Sequence, residues 1–406
     1  MIQLLKMAFR NLMRNKRRSF FSALALGMGL GLLMLIAGVV NGEYRSALDS
    51  AIRLQSGHVQ VRAKTFDESK SSLAWEDLVE KPADLAAQIG ALAPVKVATP
   101  RLYASGFVAA SQQAIGVRIF GIDPASEASA PYREGVVRGA YLAADDNGGV
   151  LVGKGLAAKL KANPGDKISL TTNTSNGTVD QQDFVVRGIY STRTSGFDDV
   201  TILMPLTKAQ AFTGAGDHAS AIFILLKDVD QTDAVKAALQ TSRYEVATWP
   251  QMNDIVVQTE DLSKSYMVML YLIVLAVTAT VIVNTLIMAV FERTREIGIL
   301  SAVGMRANRI MALFFAESSF LAVGGIIIGL ILGGLMVLYA TRVGFFIGDF
   351  GATGILIGDT IYAHLTAQDT LTLVILAFVV TLLAALYPAL MAARMQPVDA
   401  LKGGKK

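Results

Sequence analysis

Few residues in this 406-residue chain are placed to do covalent chemistry. There is no Cys, which excludes thiol catalysis, thiolate-held zinc, iron–sulfur clusters and a disulfide scaffold. The three His residues, His58, His218 and His364, are far apart in sequence, so no His-built metal site is expected. The stretch Gly148-Gly149-Val150-Leu151-Val152-Gly153-Lys154-Gly155 nearly fits the phosphate loop G-x-x-x-x-G-K-[ST]. Gly155 stands where a magnesium-holding hydroxyl is needed, so the stretch reads as a turn and strand leading into a small helix. Carboxylates are scattered, and no Ser/His/Asp set is forced together. The expectation is a non-catalytic chain that binds no cofactor or metal of its own.

The most informative residues lie between Phe291 and Arg306. Mixed charge, Glu292, Arg293, Arg295 and Glu296, gives way to an apolar run with Ile297, Leu300 and Val303 at helical spacing, Gly298 between them and Gly304 placed to end the turn. Such a short amphipathic helix suits either a bilayer surface or a groove on a partner. Beyond it, Glu317 is the one charge inside a long apolar run, about eight residues past Arg309 and so roughly 12 Å along a helix. It reads as half of a structural ion pair rather than as a proton relay.

These residues need elements to carry them. The chain is 52% hydrophobic but only 17% charged, with mean hydropathy +0.46. Soluble domains carry about 25% charged residues, so part of the chain belongs in a membrane. Phe20–Gly42, Tyr266–Phe291 and Thr370–Ala393 contain no charge, and Ile310–Thr341 contains only Glu317. Each reaches the ~20 residues that span ~30 Å of hydrocarbon as a helix.

The charges orient these four spans. Residues 1–19, the 292–309 loop and the tail after Ala393 together hold fourteen basic and three acidic residues, leaving 23 basic and 30 acidic elsewhere. The net charge of +4 thus divides into +11 and −7. The basic side is expected to be cytoplasmic. This predicts a cytoplasmic amphipathic segment 1–19, transmembrane helix 1 at 20–42, an extracytoplasmic domain at 43–265, and helix 2 at 266–291. A cytoplasmic loop at 292–309, helix 3 at 310–341, an outer loop at 342–369, helix 4 at 370–393 and a cytoplasmic tail at 394–406 follow.

Turn signals such as Asn163-Pro164-Gly165-Asp166 alternate with short strand-like and helix-like runs across 43–265, which predicts an α+β domain, in two lobes. Tyr44, Ala47, Leu48, Ala51, Ile52 and Leu54, and again Met252, Ile255, Val256 and Leu262, keep helical spacing. Segments 43–55 and 251–265 are therefore expected to form a helical stalk. Gly27, Gly29 and Gly31, with Gly324, Gly325, Gly329, Gly333 and Gly334, form small-residue ridges that serve either packing inside one bundle or a dimer seam.

Arg293-Thr294-Arg295-Glu296-Ile297-Gly298-Ile299-Leu300-Ser301-Ala302-Val303-Gly304 resembles the R-x-x-E-I-G-x-L-R-A-x-G signature of the MacB/FtsX-like permease family, with Ser301 in place of the commoner Arg. Tyr387-Pro388-Ala389-Leu390-Met391-Ala392-Ala393-Arg394 through Pro397 and Leu401 resembles that family's ending. Ala8-Phe9-Arg10-Asn11-Leu12 with Asn15-Lys16-Arg17-Arg18 resembles its opening amphipathic helix. Gln55-Ser56-Gly57-His58-Val59-Gln60-Val61 looks like a segment of lipoprotein-releasing members.

The resemblance implies a four-helix membrane protein with a large α+β domain inserted between helices 1 and 2, working as an ABC-transporter permease. It implies a dimer of cytoplasmic ATPase subunits holding ATP-Mg on a separate chain, since only 19 residues precede the first span. The expected partners are a second copy or a paralogous permease, and a periplasmic carrier or adaptor protein, with no nucleic acid. Residues 292–306 would be the coupling helix in a bacterial inner-membrane assembly. Three functions stay open: handling lipoproteins or other amphiphiles, efflux of a peptide, antibiotic or toxin, and non-transporting control of a cell-wall hydrolase.

Overall fold

The computed structural model describes residues 2–67, 73–110, 113–146, 148–241, 243–346 and 358–396. Residues 347–357 of the expected outer loop and 397–406 of the expected tail, including Pro397 and Leu401 of the family ending, lie outside the described residues. The chain forms two compact units. Met1–Glu43, Glu260–Phe345 and Ile361–Lys406 make a membrane unit, and Tyr44–Thr259 with Phe346–Thr360 make an inserted domain.

Helix α1 (Ile2–Arg14) and helix α2 (Lys16–Ala51) are separated by Asn15 alone. The inserted domain supplies the short helices α3 (Pro82–Gly90), α4 (Ala130–Glu134), α5 (Lys154–Leu160), α6 (Ser195–Asp198), α7 (Leu206–Thr213), α8 (Thr232–Leu239) and α9 (Trp249–Met252). The chain then continues through α10 (Asp254–Glu292), α11 (Thr294–Ala302), α12 (Ala307–Val343) and α13 (Ala367–Ala393). Four helices, α2, α10, α12 and α13, are long and apolar enough to cross a membrane. Helix α13 starts at a capping box. The Asp369 amide donates to Thr366 Oγ1 and the Thr366 amide donates to Asp369, so two backbone donors at the helix start are satisfied reciprocally.

In the membrane unit, Leu26, Leu30, Leu33 and Met34 of α2 meet Leu275, Ile282 and Leu286 of α10, Leu321 and Ile326 of α12, and Leu373 and Ala377 of α13. Of the four, helix α10 is the least covered and α2 the most. Met269, Leu272, Ile273 and Val277 therefore form an open apolar face.

The inserted domain's strands are β1 (Val59–Ala63), β2 (Val79–Glu80), β3 (Val95–Ala110), β4 (Gln113–Ile122), β5 (Val136–Gly139), β6 (Gly149–Gly153), β7 (Lys167–Asn173), β8 (Val179–Tyr190), β9 (Thr201–Pro205), β10 (His218–Ala219), β11 (Ala221–Leu226) and β12 (Tyr244–Thr248). The long strand β3 is shared between two sheets. Its first half pairs with β11, which leads to β1 and β12. Val59, Val61, Ile222 and Ile224 there pack under α3 and α8 through Ile89 and Val235.

The second half of β3 pairs with β4 on one side and β7 on the other. The path β4–β9–β6–β8 returns to β7, so six strands close on themselves. Closure removes exposed edges and lets alternate residues fill the middle. Val150 and Val152, Ile202 and Met204, and Val117 and Ile119 point inward, while Leu151, Leu203 and Phe120 belong to a second cluster on the other face. The two lobes expected from the sequence are thus two sheets joined by one strand, not two separate bodies.

Two expectations are corrected here. The segment 251–265 is not one helix. Asn253, at φ −122° and ψ 42°, separates the α9 turn from α10, which begins at Asp254. The two stalk stripes also differ in fate: Ala47, Ala51, Ile52 and Leu54 are buried, whereas Ile255 and Leu262 are 72% and 59% exposed. Helical spacing shows that a face exists, and only a neighbouring element determines whether it is covered.

Candidate functional site

The charged signature after α10 forms a compact joint. Helix α10 ends at Glu292, Arg293 turns the chain, and α11 follows. Thr294 Oγ1 donates to the carbonyl of Phe291 at 2.9 Å across the turn. Helix α11 stops in a Schellman motif: the Gly304 amide donates to Ser301 O and the Met305 amide to Leu300 O, both at 3.0 Å. Gly304 sits at φ +95°, where a side chain would strain the backbone, which explains the glycine.

Ile297 and Gly298 are buried, and Ile297 packs with Val290 of α10, Ile310 and Phe314 of α12, and Ala389 and Ala392 of α13. The inner-loop signature and the Ala389–Ala392 part of the family ending, read separately in sequence, therefore share one apolar cluster. The single face expected from Ile297, Leu300 and Val303 is corrected. Val303 lies past the helix end and is 83% exposed, Leu300 is half-buried, and the outward apolar side chain within α11 is Ile299.

Charge fastens this joint to α1. Arg293 Nη1 donates to Glu317 Oε1 at 2.9 Å, Asn11 Nδ2 donates to the same oxygen at 2.6 Å, and Arg293 Nη2 donates to the Asn11 carbonyl at 3.0 Å. The Arg293 and Glu317 side chains are 7% and 5% exposed. Removing one partner of such a pair leaves a bare buried charge, at about 3–5 kcal/mol. Two further pairs lie at the surface, Arg14–Glu296 at 2.8 Å and Arg18–Glu292 at 2.7 Å. Exposed pairs of this kind contribute about 0–1 kcal/mol each.

Of the expected coupling residues, then, Arg293, Ile297 and Gly298 face inward and position the helix. Arg295, Glu296, Val303 and Gly304 remain at the surface, with Glu296 tied to Arg14. Asn11, Arg14 and Arg18 belong to the joint although nothing local in the sequence marks them. Their only signals were the basic opening segment and, for Asn11 and Arg18, its resemblance to the family's opening helix.

The glycine ridges face each other within one chain. A Cβ on Gly31 would lie 3.2 Å from Gly333 N, one on Gly333 2.9 Å from Gly31 Cα, and one on Gly329 3.0 Å from Gly27 O. Gly325 packs on Leu26, and Gly27 on Ile328. The α2–α12 contact occupies the part of these ridges formed by Gly27, Gly31, Gly325, Gly329 and Gly333, a packing seam inside the bundle, whereas Gly29 meets Thr278 of α10 and a Cβ on Gly334 would meet nothing within 4 Å.

A second joint lies where α2 ends in the inserted domain. The chain passes into a π-helical turn, Ile52–Ser56, closed by the Gly57 amide on Ile52 O. Arg101 Nη1 and the Tyr132 hydroxyl both donate to Leu54 O, at 2.8 and 2.6 Å. Gln60 and Tyr103 donate to Gln55 O, and Asn253 to Ser56 Oγ. Arg101 is fully buried. Its other nitrogen donates to Ala128 O and its guanidinium lies 3.5 Å from the centre of the Phe223 ring, so carbonyls and an aromatic face take the place of a carboxylate.

Phe197 stacks on Tyr132. Beside it, Asp198 accepts from Ser191 and from the Thr192 amide and hydroxyl. Burial, with Asp359 nearby, nonetheless pushes its carboxyl up to about 6. His58 Nδ1 accepts from the Leu226 amide, and burial lowers its pKa. The near phosphate loop is the buried strand β6 followed by α5, with Gly149 against Asp146, Gly153 against Asp198 and Gly155 against Asp199. Among the described residues no His, Asp or Glu cluster could hold a metal ion.

The MacB-like periplasmic core domain family matches residues 19–242, and the FtsX-like permease C-terminal family matches residues 268–397. The chain is 24% identical to the lipoprotein-releasing system transmembrane protein LolC of Neisseria meningitidis, over 97% of both chains. It is 25% identical to the corresponding LolE protein of Haemophilus influenzae, over 94% of this chain and 93% of that one. It is 28% identical to the macrolide export ATP-binding/permease protein MacB of Burkholderia pseudomallei, over 55% of this chain and 34% of that one. With four membrane-length helices around a MacB-like inserted domain, the chain belongs to the MacB/FtsX-like family and is an ABC-transporter permease of the LolC/LolE or MacB type.

Proposed function

We propose that the chain is the non-catalytic membrane subunit of a transporter powered by a separate ATPase, and that α11 is the element the ATPase moves. The carrying observation is the joint itself. Its inner side is bound to α1, α12 and α13 through Glu317, Asn11 and the Ile297 cluster, while Arg295, Ile299 and Val303 stay exposed. A helix anchored on one side and open on the other transfers a push instead of absorbing it. The charge split supports a cytoplasmic position for this end, both termini included, with the inserted domain outside an inner membrane. Helices α2 and α10 each contribute residues to both compact units, which supports mechanical transmission from ATPase to inserted domain.

The extent of the likeness to LolC and LolE, over nearly the full chain, favours release of lipoproteins or other amphiphiles over efflux. The permease then works as a dimer with a second copy or a paralogue, and hands its cargo to a periplasmic carrier. The test is to purify the chain with its ATPase and install Glu296→Ala with Gly298→Leu. Loss of ATPase capture and of coupled turnover is expected; survival of both refutes the coupling role. Adding a triacylated lipoprotein should change turnover in the parent complex. No response to lipoprotein, with response to a macrolide, would assign efflux instead.

A further inference from the structure

We propose that α1 and the start of α2 form a binding site for anionic phospholipid headgroups. The proposal needs only that α2 spans a bilayer, and it stands whether or not α11 couples to an ATPase.

The residues of α1 fall into three stripes. Ala8 is fully buried, and Asn11 and Leu12 are half-buried, on the side that packs with the bundle. Leu5, Phe9 and Met13, at i, i+4 and i+8, are 42%, 50% and 47% exposed, the Phe9 ring meeting Phe320 of α12 edge-on at 5.8 Å with its other side open. Next to them run Lys6, Arg10 and Arg14, one residue further at each step, all exposed. A helix with an open apolar stripe beside a basic one suits the boundary between headgroups and acyl chains.

The connection to α2 holds α1 at that boundary. Asn15 is the whole linker; its amide donates to Leu12 O, and the Ser19 hydroxyl donates to the same carbonyl at 3.2 Å. Within one turn of Lys16 and Arg17 the charge-free span begins, with Phe20 and Phe21 55% and 64% exposed.

The bend between the helices carries a shallow, open recess of about 470 Å³ lined by Met13 and residues 14–18, with Glu292. Arg14 and Arg18 are taken by Glu296 and Glu292. Lys6, Arg10, Lys16 and Arg17 have no acidic partner among the described residues, and residues 1–19 contain no acid. Four uncompensated cations next to an apolar stripe at the mouth of a span complement a phosphodiester headgroup whose acyl chains lie against Phe9 and Met13. A zwitterionic headgroup answers the apolar stripe but not the cations.

The test uses the full chain with its ATPase in nanodiscs and Phe9→Trp as reporter, read as the difference from the parent, with Met13→Trp as a second reporter should the first fail to assemble. Quenching is compared for brominated phosphatidylglycerol and brominated phosphatidylcholine at equal mole fraction. Phosphatidylglycerol should be preferred by about fivefold or more, since each interfacial cation favours an anionic lipid by about that factor. Lys6→Gln, Arg10→Gln, Lys16→Gln and Arg17→Gln together should bring the ratio to one. Equal quenching in the reporter chain overturns the selectivity. Preference that survives the four substitutions overturns the residue assignment. No quenching by either lipid overturns the placement of α1 in the interface and means that protein covers it.

Discussion

The joint around α11 and the joint after α2 solve the same problem, holding a helix end in place, by opposite means. At α11 the holding groups are side-chain charges paired with side-chain charges: Arg293 with Glu317, Arg14 with Glu296, Arg18 with Glu292. At the π-helical turn the groups that are held are mostly backbone carbonyls, gripped by Arg101, Tyr132, Tyr103 and Gln60. The exposed pairs Arg14–Glu296 and Arg18–Glu292 contribute little and tolerate shifts of the helix, whereas the buried Arg293–Glu317 pair holds only while its geometry is kept. Carbonyls exist only at fixed points on the backbone, so their capture specifies one geometry. Under the function proposed above, the first joint suits the helix that is pushed and the second the one that passes the push on.

This contrast can be broken most directly at Glu317. Glu317→Ala or Arg293→Ala should each cost about 3–5 kcal/mol, read as unfolding of the full chain in detergent by scanning calorimetry. Glu317→Leu combined with Arg293→Met should recover most of the loss, because both buried charges are then gone. If the single changes cost no more than a surface pair, the pair does not hold the joint.

The carbonyl grip is probed next. Arg101→Met should cost about 1.5–3 kcal/mol, the range for hydrogen bonds from a charged group, and should leave the Ala128 carbonyl buried without its donor. Trp75 and Trp249, the two tryptophans, both lie in the inserted domain, so denaturant unfolding followed by their fluorescence reads that domain rather than the membrane unit. An unchanged midpoint would mean that Tyr132 suffices and that Arg101 is only packing.

The smallest effect sharpens the comparison through pH. Asp198 titrates at about 6 in the folded domain, against ~3.9 unfolded. Between these values the folded state binds more protons than the unfolded, so stability falls as pH rises through that window, and the cost is complete above pH 6. The stability of the parent relative to Asp198→Asn should drop by about 1 kcal/mol from pH 5 to pH 7. His58, lowered by burial, acts in the opposite sense and cancels in this difference. A flat difference would show that Asp198 is not coupled to folding.

Much of the membrane unit was legible in sequence because its signals are local. A charge-free run of sufficient length is a span whatever surrounds it, and glycines every fourth residue mark a face of close approach. The Gly148–Gly155 stretch was also legible as a turn and strand leading into a small helix, β6 and α5. The inserted domain was legible only piecewise. Ala221–Leu226 reads as a strand from its own residues, yet nothing local says that β7 bonds to both β3 and β8 and so closes six strands. Arg101 follows a Pro in an otherwise ordinary alternating run, and its burial depends on Phe223, over one hundred residues away.

The sequence by itself determined the number of spans, the charge asymmetry, the α+β character of the insert and the family, because hydrophobicity, charge and short signatures are properties of segments. Only the tertiary structure decided which partner each group has. Glu317 met Arg293 and Asn11 instead of solvent, the glycine ridges met each other within one chain, and Val303 was turned outward while Ile297 was turned in. Those outcomes depend on distances between segments that lie from 24 to 306 residues apart, which the packing of helices and the pairing of strands set together.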